Sequence, residues 1–197
     1  MTTPTFPIAI DKTVTNLVAV SGVFTLTLND VNGILVGSHV DIGGLPTAAW
    51  NQLDAEVTAV NDVNLTITYS KGNFTVASQA VWGQVHIETS WASVADVEVW
   101  LGFTATGNDL TMLTTCVDAA NDRCWKWRAN AGYQDHPNVS PGSDIKEAVI
   151  LYAAMLFRDR GSTGDSYASF DAMGQFERPV SLGRVKQLLG VGRAQVA

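Results

Sequence analysis

The feature that most constrains this chain is a change of hydrophobic period near Ser90. Upstream, apolar residues alternate with polar ones; downstream, they recur at spacings of three and four. A side-chain period of two belongs to strands and one near 3.6 to helices, so no single regular element type serves both halves.

From Thr13 to about His86 the chain consists of short runs rich in Val, Thr and Ile, separated by Gly, Asn and Asp clusters. TVTNLVAV and VFTLTLN form a pair about Ser21-Gly22, followed by SHVDIGG, LDAEVTAV, VNLTITYS and AVWGQVHIE. In VNLTITYS the alternation puts Val63, Leu65, Ile67 and Tyr69 on one face, after a turn at Asn61-Asp62. LPTAAWNQLDAEV has room for one short turn of helix. The expectation is an antiparallel β barrel or sandwich of about six strands.

After Ser90 the signals are helical. Ser93 followed by Asp96 matches a capping box, and the helix it opens ends at Leu101-Gly102. A second, longer helix carries Leu110, Leu113, Val117, Ala120, Cys124, Trp127 and Ala131 as one apolar stripe, capped at Asn108 or Asp109 and ended by Gly132. The loop YQDHPNVSPG breaks the chain. A third helix restarts at Ser143 or Asp144 with Ile145, Ala148, Val149, Tyr152 and Leu156 inward. Arg158 and Arg160 then sit where they complement the negative end of its dipole. Residues 161–181 are rich in Gly, Ser and Asp with isolated aromatics, as in an extended segment. The chain closes on a short amphipathic stretch with Leu182, Val185, Leu188 and Leu189 on one side. With Tyr167, Phe170 and Phe176, this ending carries more apolar area than a free terminus tolerates in water.

The expected fold is therefore α+β: an N-terminal β barrel or sandwich at 1–90, a small helical bundle at 91–162, and an extended C-terminal arm with a short terminal helix at 163–197. The 197 residues suffice for two small domains, and 46% hydrophobic against 16% charged residues places the chain among folded proteins. No apolar run reaches the ~18–20 residues of a membrane span, and the first residues lack the pattern of a signal peptide, so no membrane partner is expected and synthesis is expected to be cytoplasmic.

Charge and motifs narrow the function. The net charge is −7, with two lysines against seven acids in residues 1–88 and ten basic against twelve acidic residues after them. That balance opposes general nucleic-acid binding, whose affinity comes from Lys and Arg on phosphates. Arg123, Trp125, Lys126, Trp127 and Arg128 interleave aromatic and basic groups, but Trp127 falls on the core stripe, so a packing role outweighs base stacking. Cys116 and Cys124 lie eight residues apart in one helix, ~12 Å along its axis, too far to bond to each other. They read as small buried hydrophobes.

His39, His86 and His136 read as ordinary strand and loop residues. The chain has no GxSxG, HExxH, phosphate loop or CxxC. The glycines of LGVGR follow a helix, not the strand that a dinucleotide cradle requires. Asp30, Asn32 and Gly33 resemble the start of a calcium loop without its closing Glu, and a turn accounts for them. The expectation is no catalytic residue, no metal and no cofactor.

The order SVADVEVWLG, DLTMLTTCVDAANDRCWKW, a Pro-containing loop, DIKEAVILYAAMLFRDRGS and FDAMGQFERPVSLGRVKQLLGVGR resembles the head-tail connector, or adaptor, family of tailed bacteriophages. The resemblance covers residues 91–197. It is carried most by Ala148 to Arg160, and by Arg178-Pro179 followed by Val185 to Leu189. It implies a homo-oligomeric ring, dodecameric in the family, at the head-tail interface of a virion. Such a ring contacts the portal protein and neck or tail proteins, with double-stranded DNA as passing cargo. It also implies that Phe170, Phe176, Arg178, Leu182, Val185, Leu188, Leu189 and Arg193 face the portal or a neighbouring subunit. The β-rich module departs from the family pattern; its expected place is the outer rim. Other readings are a neck stopper or tail-completion protein, or a protein whose β module binds carbohydrate or a host surface through Trp50 and Trp82.

Overall fold

The computed structural model describes residues 10–161 and 182–191. They form an α+β structure: one antiparallel sheet of seven strands, then four helices. The strands are β1 (Asp11–Val20), β2 (Val23–Leu28), β3 (His39–Gly43), β4 (Gln52–Glu56), β5 (Ala59–Asn61), β6 (Thr66–Ser70) and β7 (Val76–Ile87), with a 3-10 turn at Ala48–Trp50. The helices are α1 (Val94–Leu101), α2 (Asn108–Asn130), α3 (Ser143–Gly161) and α4 (Leu182–Leu188).

The strand order is β4-β3-β7-β1-β2-β6-β5. β4 and β5 therefore stand at opposite ends of the sheet, yet only Val57 and Thr58 separate them in the chain. So short a link spans at most ~11 Å, which forces the sheet to curl until its ends approach. Backbone bonds mark the crossing: Val57 donates to the Ser38 carbonyl and Thr58 to the Thr68 carbonyl, both at 2.8 Å. The result is a half-barrel: the described strands form one curled sheet and not the two sheets of a sandwich. The run LDAEVTAV, expected as one strand, is two, because the chain leaves one edge at Val57 and joins the other.

The curl encloses Val14, Leu17, Phe24, Leu26, Val40, Ile42, Ile67, Tyr69, Val85 and Ile87, all buried. Phe24 stacks on Tyr69 with ring centroids 5.2 Å apart. The β1–β2 hairpin turns at Ser21 and Gly22, with φ of 49° and 83°, the positive-φ pair that two-residue hairpins favour. A Cβ at Gly22 would stand 1.9 Å from the Gly72 carbonyl oxygen, so this position also requires close backbone approach.

The expected face of VNLTITYS forms only in part. Ile67 and Tyr69 are buried, but Val63 is 91% exposed and Leu65 has φ of +54°. The Asn61 side-chain oxygen accepts the N–H groups of Val63 (3.0 Å) and Asn64 (2.9 Å), and this turn consumes residues the period assigned to the strand.

Backbone contacts divide the chain into two units. One holds the described residues up to Thr89 together with Gly132–Val139; the other holds Ser90–Ala131 and the described residues from Ser140 onward. The Pro-containing loop is thus more than a break between helices. Within the β unit, the Asn138 amide accepts the His39 N–H at 2.9 Å and donates to the Glu88 carbonyl at 3.1 Å.

In the helical unit, α1 opens with the expected capping box: the Ser93 hydroxyl accepts the Asp96 N–H at 3.2 Å and the Asp96 carboxylate accepts the Ser93 N–H at 2.9 Å. It closes on Gly102 in the left-handed region. α2 starts differently from expectation, on Gly107 with no side-chain cap. α3 packs against α1, α2 and α4. Three-sided contact explains why Leu151, Ala153 and Ala154 are buried beside Ile145, Ala148 and Val149, while Tyr152 and Leu156 are only half-buried.

Along α2, Leu113, Val117, Ala120 and Cys124 are buried as the stripe requires, but its ends differ. Leu110 is 42% exposed, Trp127 is half-buried, and the buried indole is Trp125. Continuing the stripe from Cys124 by four residues reaches Arg128, which is itself buried. Its guanidinium donates to the Leu189 carbonyl at 2.6 Å, so a charge occupies a core-facing position because the turn after α4 supplies an acceptor there.

Candidate functional site

The site residues expected of this chain centre on its ending. Phe170, Phe176, Arg178 and Arg193 lie outside the described residues. Of the others, Val185 and Leu189 are fully buried within their own subunit, Leu188 is half-buried and Leu182 is 40% exposed. This corrects the expectation that Val185 and Leu189 face a portal or neighbouring chain. Spaced by four, they form one stripe of the α4 segment, and α3 satisfies it. Two fully buried aliphatic side chains contribute roughly 1.5–3 kcal/mol each, ample reason for the segment to fold back. Its docking adds the Arg128 bond and a long ion pair from Arg184 to Glu147 at 3.7 Å.

What the helical unit leaves in water lies elsewhere. Val99 on α1 is 84% exposed, and with Ala95, Glu98, Gly102, Phe103 and Thr104 it lines an open groove of about 310 Å³. Phe103 forms one wall and stacks on Phe157 at 5.8 Å. Trp100 lies under the Arg158 guanidinium at 5.0 Å, a contact the helix-dipole reading of that arginine had missed. The lining includes one carboxylate, Glu98, which is engaged by the Ala105 N–H at 2.7 Å.

The interleaved aromatic and basic residues of α2 are committed to packing. Trp125 is buried, while Trp127 meets Tyr152 at 5.3 Å, Arg123 at 5.2 Å and Lys186 at 5.6 Å. Both cysteines are buried and unbridged, and burial pushes the Cys124 thiol up to about 12, leaving it protonated and unreactive at neutral pH.

Most polar groups of the β unit lie on its outward face or in its turns, while Lys12 and Ser38 are buried. Asp30 acts as a turn residue: one carboxylate oxygen accepts the Asn32 N–H at 2.9 Å and the other pairs with Lys12 at 2.6 Å. Burial would raise its pKa, but the Lys12 ammonium and backbone N–H groups outweigh that and hold it below the ordinary value. Lys12 itself is among the most buried side chains, a position its charge alone would not indicate.

Across the sheet, Asp41 and Asp11 flank His86 in register, with Asp11 on the His86 ring at 2.7 Å. His39 pairs with Asp54, whose N–H donates to Asp41 at 2.8 Å. Burial, then hydrogen bonding and charge repulsion from Asp41, push Glu88 up to about 7. Among the described residues no group of three or more His, Cys, Asp or Glu is placed to hold a metal ion.

The two tryptophans of the β unit differ sharply. Trp50 is half-buried and its carbonyl accepts the Tyr69 hydroxyl at 3.0 Å. Trp82 is 80% exposed on β7. Among the described residues no helix is long and apolar enough to cross a membrane. No family model, no curated protein and no solved structure matches the chain.

Proposed function

We propose that this chain is a structural subunit of a tailed-phage neck, a head-to-tail connector that assembles into a ring, dodecameric by resemblance, beneath the portal. Neck or tail proteins bind below it and double-stranded DNA passes through its centre. The observation that carries this reading is the apolar corner left in water at the end of α1, where Val99 and Phe103 border a shallow groove. Such a surface suits a neighbouring polypeptide better than a small substrate, which requires a concave pocket with convergent polar groups. The order of the pieces supports it further. SVADVEVWLG contains α1, DLTMLTTCVDAANDRCWKW lies within α2, DIKEAVILYAAMLFRDRGS supplies most of α3, and the segment after Arg178-Pro179 contains α4.

The correction at α4 moves the proposed contact. Val185 and Leu189 complete the subunit, so Val99, Phe103 and the exposed Leu110 and Leu182 are the residues assigned to neighbours or portal. The test is electron microscopy and light scattering of the full chain, alone and with the portal protein of the same virion. Closed rings, or a stable portal complex, are expected, and V99D should weaken either while leaving the subunit folded. A chain that remains monomeric, binds no portal protein and is absent from purified particles would overturn the proposal. A neck stopper or tail-completion protein would also be found in particles, but in a layer that does not touch the portal.

A further inference from the structure

We propose that Asn138 clasps the loop Gly132–Val139 to the β unit, and that a proton shared between Glu88 and Asp41 holds the clasp closed. The clasp sits where β3 and β7 part. Their register runs Val40 to Ile87 and Asp41 to His86, so the next pair is His39 and Glu88. The Glu88 N–H donates to the His39 carbonyl at 3.1 Å. An antiparallel pair would return a bond from the His39 N–H to the Glu88 carbonyl, and the Asn138 side chain stands in for it. Its amide oxygen accepts the His39 N–H at 2.9 Å and its amide nitrogen donates to the Glu88 carbonyl at 3.1 Å, which splices the loop into the end of the ladder. This splice fixes how far apart the two strand ends stand.

The side chains of the same residues titrate together. Strand alternation puts His39, Asp41, His86 and Glu88 on one half-buried face. The Glu88 carboxyl hydrogen-bonds to Asp41 across the strands, and two carboxyls do so only with a proton between them. Around the pair, His39 meets Asp54 of β4, whose N–H donates to Asp41 at 2.8 Å, and Asp11 of β1 holds His86 at 2.7 Å. Burial, then the hydrogen bond and charge of Asp41 and the charge of Asp54, raise Glu88 from 4.5 to about 7, while His39 opposes them.

Loss of that proton leaves two carboxylates facing each other across the strand ends that Asn138 bridges. Their repulsion spreads β3 from β7 and pulls the splice apart. Because the folded value lies above the ordinary one, closure weakens as pH rises through about 7. In the loop, the His136 Nδ1 accepts the Asn138 N–H at 3.2 Å, a bond that protonation of the ring removes, so His136 acts in the opposite sense.

The experiment follows hydrogen exchange of the His39 amide, the N–H that Asn138 covers, by NMR on the full chain. Wild type, E88Q, H136Q and N138A are compared after correction for intrinsic rates, with thermal unfolding run on each to confirm folding. Wild-type protection should fall at least about tenfold between about pH 5.5 and about pH 8, while E88Q, neutral throughout, keeps it. H136Q, without the opposing titration, should retain the fall, and N138A should lack the protection at every pH. A fall that persists in E88Q, a fall that vanishes in H136Q, or protection that N138A leaves intact would each overturn the proposal. So would His39 protection equal to that of amides inside β2 at every pH, since the clasp would then open only with global unfolding. The clasp lies within the β unit and stands or fails independently of the connector reading.

Discussion

The two units of this protein place charged groups inside by different means. In the β unit the buried Lys12 projects from an inward position of β1 and meets Asp30 in a turn eighteen residues along the chain. In the helical unit the buried Arg128 reaches a backbone carbonyl at Leu189, sixty-one residues along, in the turn that follows α4. The first partner is near enough to form with the β1–β2 hairpin; the second exists only once α4 has docked. The β unit is therefore closed largely by strand pairing and turns, and the helical unit by its C-terminal segment.

That contrast can be broken most severely at Trp125. W125A removes a buried indole from the helical core and should cost about 3–5 kcal/mol, whereas W127A, at a half-buried ring, should cost clearly less. Denaturant unfolding followed by helical ellipticity ranks the two, and equal costs would restore the stripe expected from the sequence. Next, D30A strands the Lys12 charge and should cost ~2–3 kcal/mol, reduced from a fully buried pair because Asp30 is partly exposed. K12M should be far milder, since an apolar chain there needs no partner. The same denaturation curves check both.

A smaller effect is local to α1. S93A removes the hydroxyl that accepts the Asp96 N–H and should cost ~1 kcal/mol in thermal unfolding, with little effect on the strands. The smallest concerns pH. Glu88 is raised from 4.5 to about 7 in the folded state, so the folded β unit binds its proton more tightly than the unfolded chain. Its contribution is complete below ~4.5 and is lost as pH rises through about 7. Unfolding midpoints measured between these limits should fall with pH by less in E88Q than in wild type; identical slopes would show that Glu88 does not govern this window.

Much of the fold was legible locally. The capping box at Ser93, the Gly102 stop, the Ser21-Gly22 hairpin and the Asn61 turn are all written within a few residues, and each forms. The proposed clasp was less legible. Asn138 could be assigned to a loop, but that its amide bridges His39 and Glu88 depended on how β3 and β7 pair. The terminal apolar stripe was visible, yet its partner was not, because amphipathicity reports that a face is buried without naming what buries it.

The sequence by itself determined the change of period near Ser90, the existence and type of the main elements, and the scarcity of cations in the first 88 residues. Those properties depend on neighbours within a few positions, or on composition alone. Tertiary structure alone decided that the sheet curls back on itself through Val57 and Thr58, that Trp125 instead of Trp127 fills the core, and that α4 completes its own subunit. Each of these is set by groups distant in the chain, whose meeting depends on packing and hydrogen bonding, not on a local period.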